Sequence, residues 1–500
     1  MKIIIQAGGK GTRLEGLTRN KPKCIVPVNN LPILFYAFKK FSGAEFTVIA
    51  DYKIDVLEKY LSAFATDYKY KIVKAPGKGT ISGIKEAIEE FEDDEPVIIL
   101  WCDIILSPGF EIPSEPGNYI GISKDFECRL SYVDGKIVDI PSKENGIAGL
   151  FVFENKKILS DIPQEGALVE WLKKKNLVFK RMDLYGTKEV GTLLAYEETN
   201  DNTRRCRPFN SVEFNGDLVV KKGITEQGKK IAVNEVDWYK FVKNLDYRNI
   251  PEIYEFDPLK MKRVRGKNIY EYDCITTSQK REIILNIVKA INELHNLVEP
   301  IDAIKEDLED NYLTKTFSRL SVVKDLVPFA KNEFIKINGR YYKNVFYCEE
   351  SLSKLIRSFY PEKFHLIHGD CTFSNVMFDT FDMKTVMIDP RGYFGKTKYF
   401  GDKDYDWAKL YYSLMGDYDQ FNLHKFTLDI KPSEVELKIK TNGWSDMEEF
   451  FFDCLPGVNK QKIKLLHSII WLSLTTYAWE DYDSICGAFY NGVVKLNEVL

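Results

Sequence analysis

Two stretches of this 500-residue sequence combine glycines with cations or acids in patterns suited to phosphate chemistry. In the first, an apolar run at residues 3–5 leads into Gln-Ala-Gly-Gly-Lys-Gly-Thr-Arg-Leu at residues 6–14. Glycines let successive N–H groups face a polyanion, and Arg13 can bind two phosphate oxygens at once. Lys23, placed after a rigid proline, adds a second cation. The alternative is a glycine-rich turn with solvated basic side chains. We predict instead a phosphate-binding loop at a strand end, formed by Ala7, Gly8, Gly9, Gly11 and Thr12.

An acidic residue, Asp103, ends the buried apolar run at residues 97–102. A carboxylate at a strand tip is well placed to hold Mg²⁺ against a triphosphate, because Mg²⁺ prefers oxygen ligands. The alternative is that Asp103 caps the next turn. We predict that it is a metal ligand.

The first motif resembles the sugar-phosphate nucleotidyltransferase family, which includes the bacterial phosphocholine cytidylyltransferases. The resemblance rests on the strand, on Ala-Gly-Gly-x-Gly-Thr-Arg-Leu, and on the Leu-Thr and Lys-Pro-Lys that follow, and it spans about residues 1–200. It implies that Gly79 and Thr80 contact the nucleotide base. It also implies that Glu189 is the second magnesium ligand, where the family has an Asp in Asp-x-Gly-Thr. Because Glu is one methylene longer, whether Glu189 is a ligand stays open.

The resemblance implies a specific reaction. An oxygen of a phosphomonoester attacks the α-phosphorus of a nucleoside triphosphate and releases pyrophosphate. The protein must neutralise and align two anions, which Arg13, Lys23 and a metal on Asp103 could do. The segment near Ala75 lacks the Gln of thymidylyl- and uridylyltransferases, so CTP is favoured as the nucleotide.

The second stretch begins at an apolar run, residues 364–367, followed by His-Gly-Asp at 368–370. Asn375 lies five residues after Asp370, and Asp389 ends another short apolar run. This spacing matches a kinase-type phosphoryl-transfer site. Asp370 would accept or orient the hydroxyl proton of the substrate, and Asn375 and Asp389 would hold Mg²⁺. We interpret Asp406 as a brace for this loop.

This second stretch looks like the aminoglycoside phosphotransferase and choline kinase superfamily, over about residues 207–500. The resemblance implies ATP as donor and a lysine that holds its phosphates. Lys221 and Lys222 are the candidates, and they point to opposite faces of one strand. Glu235 is the natural partner, although an ordinary exposed helix acid is an equal alternative. No glycine-rich loop precedes the strand.

Aromatic residues are frequent after residue 400, and some lie beside acids, as in Trp-Glu-Asp-Tyr at 479–482. Such faces could bind an ammonium group through cation–π attraction. Aromatics at helical spacing are more often core, and we favour core here.

The elements around these motifs predict an α/β protein. Apolar runs at residues 2–6, 46–50, 71–74 and 97–102 alternate with helical patterns at 32–41 and 82–91, which predicts a parallel sheet covered on both faces. We therefore expect a Rossmann-like nucleotidyltransferase sheet in residues 1–200 and a protein-kinase-like α+β domain in residues 207–500. A polar break at 197–207 separates them. Beyond it we predict a hairpin around Asn215-Gly216, a helix at 234–245, and mostly helices after residue 280 with strands only near 366 and 387.

Composition narrows the class of protein. The net charge of -4 gives no support for a nucleic-acid or lipid-surface binder. No apolar run approaches the ~18 residues of a membrane span, and nine scattered cysteines suit a reduced protein. We expect a cytoplasmic enzyme that uses Mg²⁺, binds a small hydroxyl compound and its phosphate, and binds neither nucleic acid nor membrane. The oligomeric state stays open.

The two motifs together predict a bifunctional enzyme. A kinase half would phosphorylate a small hydroxyl compound with ATP, and the other half would join that phosphate to a nucleotide. The product would be an activated precursor for surface polysaccharide or lipid decoration. Alternatives are a sugar kinase paired with a sugar-1-phosphate nucleotidyltransferase, an antibiotic-modifying kinase, and a protein with one non-catalytic half.

Overall fold

The computed structural model describes residues 1–175, 177–200 and 210–500 of the chain. They belong to two compact units of a mixed α/β protein, the class that the sequence predicts. One unit comprises Met1–Arg204 and Trp479–Asp483, and the other comprises Arg205–Ala478 and Ser484–Leu500. Most of the polar break predicted at 197–207 lies in residues 201–209, outside the described residues.

A seven-stranded sheet organises the first unit, in the order β7-β5-β6-β4-β1-β2-β3. Its strands are β1 (Lys2–Gln6), β2 (Glu45–Ala50), β3 (Lys69–Lys74), β4 (Val97–Trp101), β5 (Tyr119–Ser123), β6 (Ile147–Phe153) and β7 (Lys180–Leu184). Strand β1 pairs in parallel with both β2 and β4. Parallel neighbours bring their carboxyl ends to one edge, so the segments after β1 and β4 lie together.

The predicted parallel pairing is confirmed for the four strands on which it was based, β1 to β4, whereas the other half of the sheet is mixed. Strand β6 runs antiparallel to both β4 and β5. The reason lies in the connection between β5 and β6. It contains a two-stranded hairpin, Ser131–Val133 with Lys136–Val138, rather than the crossover helix that parallel neighbours usually need.

Helices pack on this sheet, and its central strands β1, β4 and β6 are apolar. The helices are α1 (Ile33–Lys40), α2 (Ile54–Phe64), α3 (Leu168–Lys175) and α4 (Leu193–Thr199). Ile3, Ile4 and Ile5 of β1 are all fully buried, as expected for a strand covered on both faces. The helix predicted at 82–91 is reduced to Ile84–Ala87, because turns flank it.

The second unit begins with a four-stranded antiparallel sheet in the order β8-β9-β11-β10. Its strands are β8 (Asn210–Asn215), β9 (Leu218–Gly223), β10 (Ile253–Phe256) and β11 (Leu259–Lys262), and β8 and β9 form the predicted hairpin. Helix α5 (Glu226–Asn244) begins eight residues before the predicted start. The Thr225 side chain caps it by accepting from the N–H of Gly228.

The rest of the second unit contains more strands than predicted. The residues of the predicted kinase motif border a three-stranded sheet of β12 (Gly266–Asn268), β13 (Val376–Asp379) and β14 (Lys384–Met387). Further strands are Ile301–Asp302, Phe334–Ile337, Arg340–Lys343, Lys363–Leu366, Tyr393–Phe394, Thr397–Lys398, Phe400–Gly401, Phe426–Ile430 and Val435–Ile439. The main helices are α6 (Thr277–His295), α7 (Lys315–Val323), α8 (Glu349–Ser358), α9 (Lys403–Leu414), α10 (Lys460–Leu474) and α11 (Tyr482–Asn497). Within the described ranges, none of the helices is both long and apolar enough to cross a bilayer.

Candidate active sites

The predicted phosphate loop follows β1 directly. Ala7 is buried and its N–H donates to the carbonyl of Ile49 at 2.8 Å, whereas Gly8, Gly9 and Thr12 are partly or fully exposed. Gly11 has a φ of 63°, and a Cβ there would lie 3.0 Å from Cβ of Lys23. A glycine is therefore required where the loop turns over the lysine. Arg13 is exposed at the end of the loop.

The Gly79–Thr80 segment lies beside the same strand end. The side-chain amide of Gln6 donates to the carbonyl of Thr80 at 2.6 Å, and Thr80 Oγ1 accepts from the N–H of Leu168 at 2.8 Å. Gly79 is exposed, with a φ of 90°. The structure therefore brings the predicted base-contacting segment to the phosphate loop. Gln6 has a positioning role here that the sequence reasoning did not assign.

Lys23, Asp103 and Glu189 form the charged centre of the first unit. Lys23 Nζ donates to Asp103 Oδ2, and both side chains are largely buried. Glu189 is brought to Asp103 by pairing of Lys188–Glu189 with Ile104–Ile105 and by the bond from Val190 N–H to the Asp103 carbonyl at 2.9 Å. A Cβ on Gly191 would collide with Glu189 Oε1 and lie 2.9 Å from Asp103 Oδ2. The two carboxylates therefore converge on one point, which only glycine leaves open.

Electrostatics at this centre fit a cation between the two acids. Burial raises the pKa of Glu189, and the negative charge of Asp103 raises it further, while Lys23 and Arg13 oppose the rise. No group of three or more metal-ligating His, Cys, Asp or Glu side chains exists among the described residues. Two carboxylates nevertheless suit Mg²⁺, which usually keeps water and phosphate oxygens as its other ligands.

Lys21, next to this centre, has a different environment from Lys23. Its ammonium is buried in the first unit, 2.9 Å from Asp481 Oδ1 and 2.5 Å from Asp483 Oδ2. Burial alone would lower the pKa of Lys21, but these two carboxylates outweigh it and raise the pKa. Asn20 also donates to Asp483 Oδ1 at 3.0 Å. Lys21 is therefore a structural cation. Asp481 belongs to the aromatic and acidic stretch considered for ammonium binding, and its partner is this lysine.

In the second unit, the His-Gly-Asp loop is held by a buried carboxylate. Asp406 is fully buried and accepts from the N–H groups of His368 at 3.0 Å and Gly369 at 2.7 Å. His295 Nε2 lies 3.0 Å from Asp406 Oδ2. Burial raises the pKa of Asp406, but these hydrogen bonds outweigh it and hold the pKa below the usual value. The interpretation of Asp406 as a brace is confirmed.

Asp370 and Asn375 lie together at the end of this loop. Asn375 Nδ2 donates to Asp370 Oδ2 at 2.8 Å and to the Asp370 carbonyl at 2.9 Å. The N–H of Ile388 donates to the carbonyl of Asn375 at 2.9 Å, which places Asp389 beside both residues. The three predicted catalytic and metal-binding residues thus form one cluster. Oxygen donors of this kind suit Mg²⁺.

The structure distinguishes the two candidate lysines of β9. Lys221 Nζ lies 2.8 Å from Glu235 Oε2 and 2.7 Å from Asp389 Oδ1, whereas Lys222 is exposed on the opposite face. Glu235 is only 3% exposed, which argues against an ordinary surface acid. Burial raises the pKa of Glu235, and the negative charge of Asp389 raises it further. The positive charge of Lys221 lowers the pKa but does not fully offset these two effects. The geometry favours Lys221 for the phosphate role and leaves Lys222 outside the cluster.

Comparison with known proteins addresses the N-terminal part of the chain. Residues 3–110 match the family model described as MobA-like NTP transferase domain. The D-glycero-alpha-D-manno-heptose 1-phosphate guanylyltransferase of Campylobacter jejuni is 33% identical over 103 residues, which is 20% of this chain and 46% of that protein. The CTP:phosphoglutamine cytidylyltransferase of the same organism is 31% identical over 112 residues, which is 21% of this chain and 44% of that protein.

A solved structure matches a longer part of the chain than these relatives do. The CTP:phosphocholine cytidylyltransferase from Streptococcus pneumoniae is 21% identical, with a TM-score of 0.35, and covers 41% of this chain and 99% of that one. The chain spans less than half the length of the curated relatives that it matches. The expected resemblance of the N-terminal half to nucleotidyltransferases is confirmed for the matched segment, residues 3–110, which is similar to the MobA-like NTP transferase domain.

Proposed function

We propose that the chain is a bifunctional enzyme with one reaction in each unit. The second unit phosphorylates a small hydroxyl compound with ATP, and the first transfers a nucleotidyl group to the resulting phosphate. The observation that carries the proposal is that each unit gathers its own set of phosphate-binding and acidic residues. One set is Lys23, Asp103 and Glu189, and the other is Lys221, Asp370, Asn375 and Asp389.

In the first unit, an oxygen of the phosphomonoester attacks the α-phosphorus, and the bond to pyrophosphate breaks. Lys23 and Arg13 neutralise the two anions, and the glycine loop supplies backbone N–H groups. Mg²⁺ held by Asp103 and Glu189 would supply further charge neutralisation. The MobA-like match supports this half, and the cytidylyltransferase among the relatives agrees with CTP as the favoured nucleotide.

In the second unit, the substrate hydroxyl attacks the γ-phosphorus of ATP, and ADP leaves. Asp370 orients the hydroxyl and accepts its proton, while Lys221, fixed by Glu235, holds the phosphates. Asn375 and Asp389 would hold Mg²⁺. Lys221 and Glu235 lie beside Asp389, which is 168 positions after Lys221 in the chain, and this convergence supports this half.

A sugar version is a second candidate. One relative is named as a heptose 1-phosphate guanylyltransferase, which favours a sugar 1-phosphate as acceptor and GTP as nucleotide. In either version the product is an activated building block of the kind used for surface polysaccharide or lipid decoration, and both reactions are cytoplasmic.

The test is a one-pot reaction with the full chain, ATP, Mg²⁺ and each of the other nucleoside triphosphates. Panels of alcohols, polyols and sugars serve as acceptors, and mass spectrometry detects the nucleotide conjugate. We expect one conjugate that forms only when ATP is present. A conjugate formed from pre-made phosphate but from no unphosphorylated acceptor would contradict the kinase half alone.

A further inference from the structure

A cluster of cationic side chains lies beside Asp370 in the second unit. Lys409 Nζ is 2.8 Å from Asp370 Oδ1. The backbone N–H of Arg391 donates to the His368 carbonyl at 2.9 Å, and its guanidinium donates to Tyr405 Oη at 3.2 Å. Lys409 Nζ is 5.9 Å from the centre of the same tyrosine ring. Arg391 and Lys409 therefore share one tyrosine next to the catalytic loop.

Helix α7 contributes two more cations to this cluster. Lys315 and Arg319 are four residues apart, so they lie on one face of the helix. Lys315 Nζ donates to Asn311 Oδ1 at 2.9 Å, and Arg319 donates to the carbonyl of Ser473 at 2.6 Å and to its hydroxyl at 3.1 Å. These partners are neutral. Of the four cations, Lys409 alone has an ion-pair partner among the described residues.

The four cations repel one another. Burial first, and then the charges of Arg391, Arg319 and Lys409, together lower the pKa of Lys315 to about 6, against the opposing charge of Asp310. Burial also lowers the pKa of Arg319, and Arg391 adds to the effect. Two carboxylates among the described residues, Asp310 and Asp370, oppose these side chains. They face four cations below about pH 6 and three above it, where Lys315 is neutral, so the cluster has an excess of positive charge in both cases. An excess of positive charge beside Asp370, the predicted catalytic residue, indicates a binding role for these side chains.

Polar atoms without partners lie in the same region. Tyr412 Oη and Asn311 Nδ2 are buried and have no hydrogen-bond partner among the described residues. The Tyr412 ring is 5.5 Å from Lys409 Nζ, and Asn311 holds Lys315. Buried groups of this kind are normally satisfied. The Tyr412 hydroxyl and the Asn311 amide can each donate a hydrogen bond, and the neighbouring cations are partly exposed. This combination suits the binding of an oxyanion.

We propose that the hydroxyl acceptor of the second unit is an anionic compound, whose carboxylate or phosphate is bound by Lys315, Arg319 and Arg391 while its hydroxyl reaches Asp370. This inference rests on the proposed kinase function and narrows its substrate class. Tyr405 and Tyr412 lie beside Lys409, so they belong to this cationic cluster. A cationic acceptor would be repelled there. Lys409 then positions Asp370 through its ion pair.

The first test measures ADP release by the full chain with matched acceptors. Three-carbon and six-carbon backbones are each offered as neutral polyol, hydroxy acid and phosphate ester, with choline as the cationic member. We expect kcat/KM for the hydroxy acid or the phosphate ester to exceed that for the neutral polyol at least tenfold. A preference for the acid indicates a carboxylate, and a preference for the ester a phosphate.

The second test uses Lys315→Gln and Arg319→Gln in the full chain. A hydrogen bond to a charged group corresponds to about a 10- to 100-fold change in affinity, so the acceptor KM should rise by this factor with kcat and the KM for ATP nearly unchanged. Lys305 is exposed, so Lys305→Gln is the matched control. It should change neither kcat nor the KM for the acceptor or for ATP. Arg319→Lys, which keeps the charge, should recover part of the loss and shows that folding is intact.

Three outcomes overturn the inference. A neutral polyol or choline as the best acceptor would contradict it while leaving the kinase proposal intact. A rise in the KM for ATP rather than for the acceptor would show that the cations bind the donor phosphates. If no acceptor in the panel supports ADP release, although the protein still binds ATP in a thermal-shift assay, both the kinase proposal and the inference are contradicted.

Discussion

The two clusters assemble their charged residues in different ways. In the first unit, Asp103 and Glu189 come from distant parts of the chain and meet because two very short strands pair. In the second, His368, Asp370 and Asn375 belong to one loop, and the buried carboxylate of Asp406 accepts hydrogen bonds from its backbone. The first arrangement depends on long-range pairing, and the second depends on a local loop and on Asp406. In both clusters the backbone is held by bonds that do not involve the side chains of Glu189 or Asp370, so these two side chains can be substituted without loss of the strand or loop that carries them.

The largest expected effect separates the two units. Asp370→Asn removes the group that we propose accepts the hydroxyl proton, and such groups contribute about 10²–10⁴-fold in rate. ADP release should fall by that factor, while pyrophosphate release from a pre-made phosphomonoester should stay unchanged. Asp382→Asn, at an exposed acid of the same unit, is the control. Equal loss of both activities would mean one shared site or general unfolding.

The second prediction compares two adjacent lysines of β9, Lys221 inside the second cluster and Lys222 outside it. Lys221→Gln removes a cation that contacts Glu235 and Asp389, and loss of one such electrostatic donor costs about 10²–10³-fold in kcat. Lys222→Gln, on the exposed face of the same strand, should change ADP release less than about twofold. Steady-state kinetics with saturating ATP measure both. A larger effect at Lys222 would show that the strand is used in the other orientation.

A third prediction concerns the stability of the first unit alone. Asp483→Asn leaves buried Lys21 with one carboxylate instead of two, so the loss of stability should be smaller than the ~3 kcal/mol that leaving a buried charge unpaired costs. Hydrogen exchange should become faster in peptides of β1 and β2, while Asp67→Asn at an exposed position should leave it unchanged. Unaltered exchange in Asp483→Asn would show that Lys21 needs only Asp481. A fragment of residues 1–200 lacks both acids, so the full chain is the better object for activity tests.

The smallest expected effect is a pH dependence of acceptor binding. Because the pKa of Lys315 is lowered to about 6 by burial and by neighbouring cations, this lysine loses its proton as the pH rises through 6. Binding of an anion favours the protonated form, so the acceptor KM should rise several-fold between pH 6 and pH 8. In Lys315→Arg the guanidinium stays protonated, and the rise should disappear. A KM that is flat in the wild type would contradict this role of Lys315.

The sequence predicts these clusters best where their residues are adjacent. The spacing of Asp370, Asn375 and Asp389 was sufficient to group them, and the strand before Ala7 was correctly placed. Glu189 could not be assigned, because its approach to Asp103 depends on a pairing of two-residue strands that leaves no periodic signal. The choice between Lys221 and Lys222 needed the position of α5, whose first turns the sequence did not reveal.

Interactions between distant segments account for the rest. The partners of Lys21 lie more than 450 positions away in the chain, and no local pattern connects them. Strands such as Val435–Ile439 alternate polar and apolar residues over only five positions, which is too short for a strong pattern. Lys409 could have been found, since it follows Asp406 by three residues on a helix and therefore lies near its face.

The central claim is that two independent sites act in sequence on one phosphate group. Mixing two inactive variants tests it most directly. Asp370→Asn cannot make the phosphate, and Asp103→Asn cannot transfer the nucleotide, so neither alone should form a conjugate from the unphosphorylated acceptor, ATP and the second nucleotide. An equimolar mixture should form it, because the phosphorylated intermediate diffuses from one protein to the other. A mixture of the two folded variants that stays inactive would contradict the account.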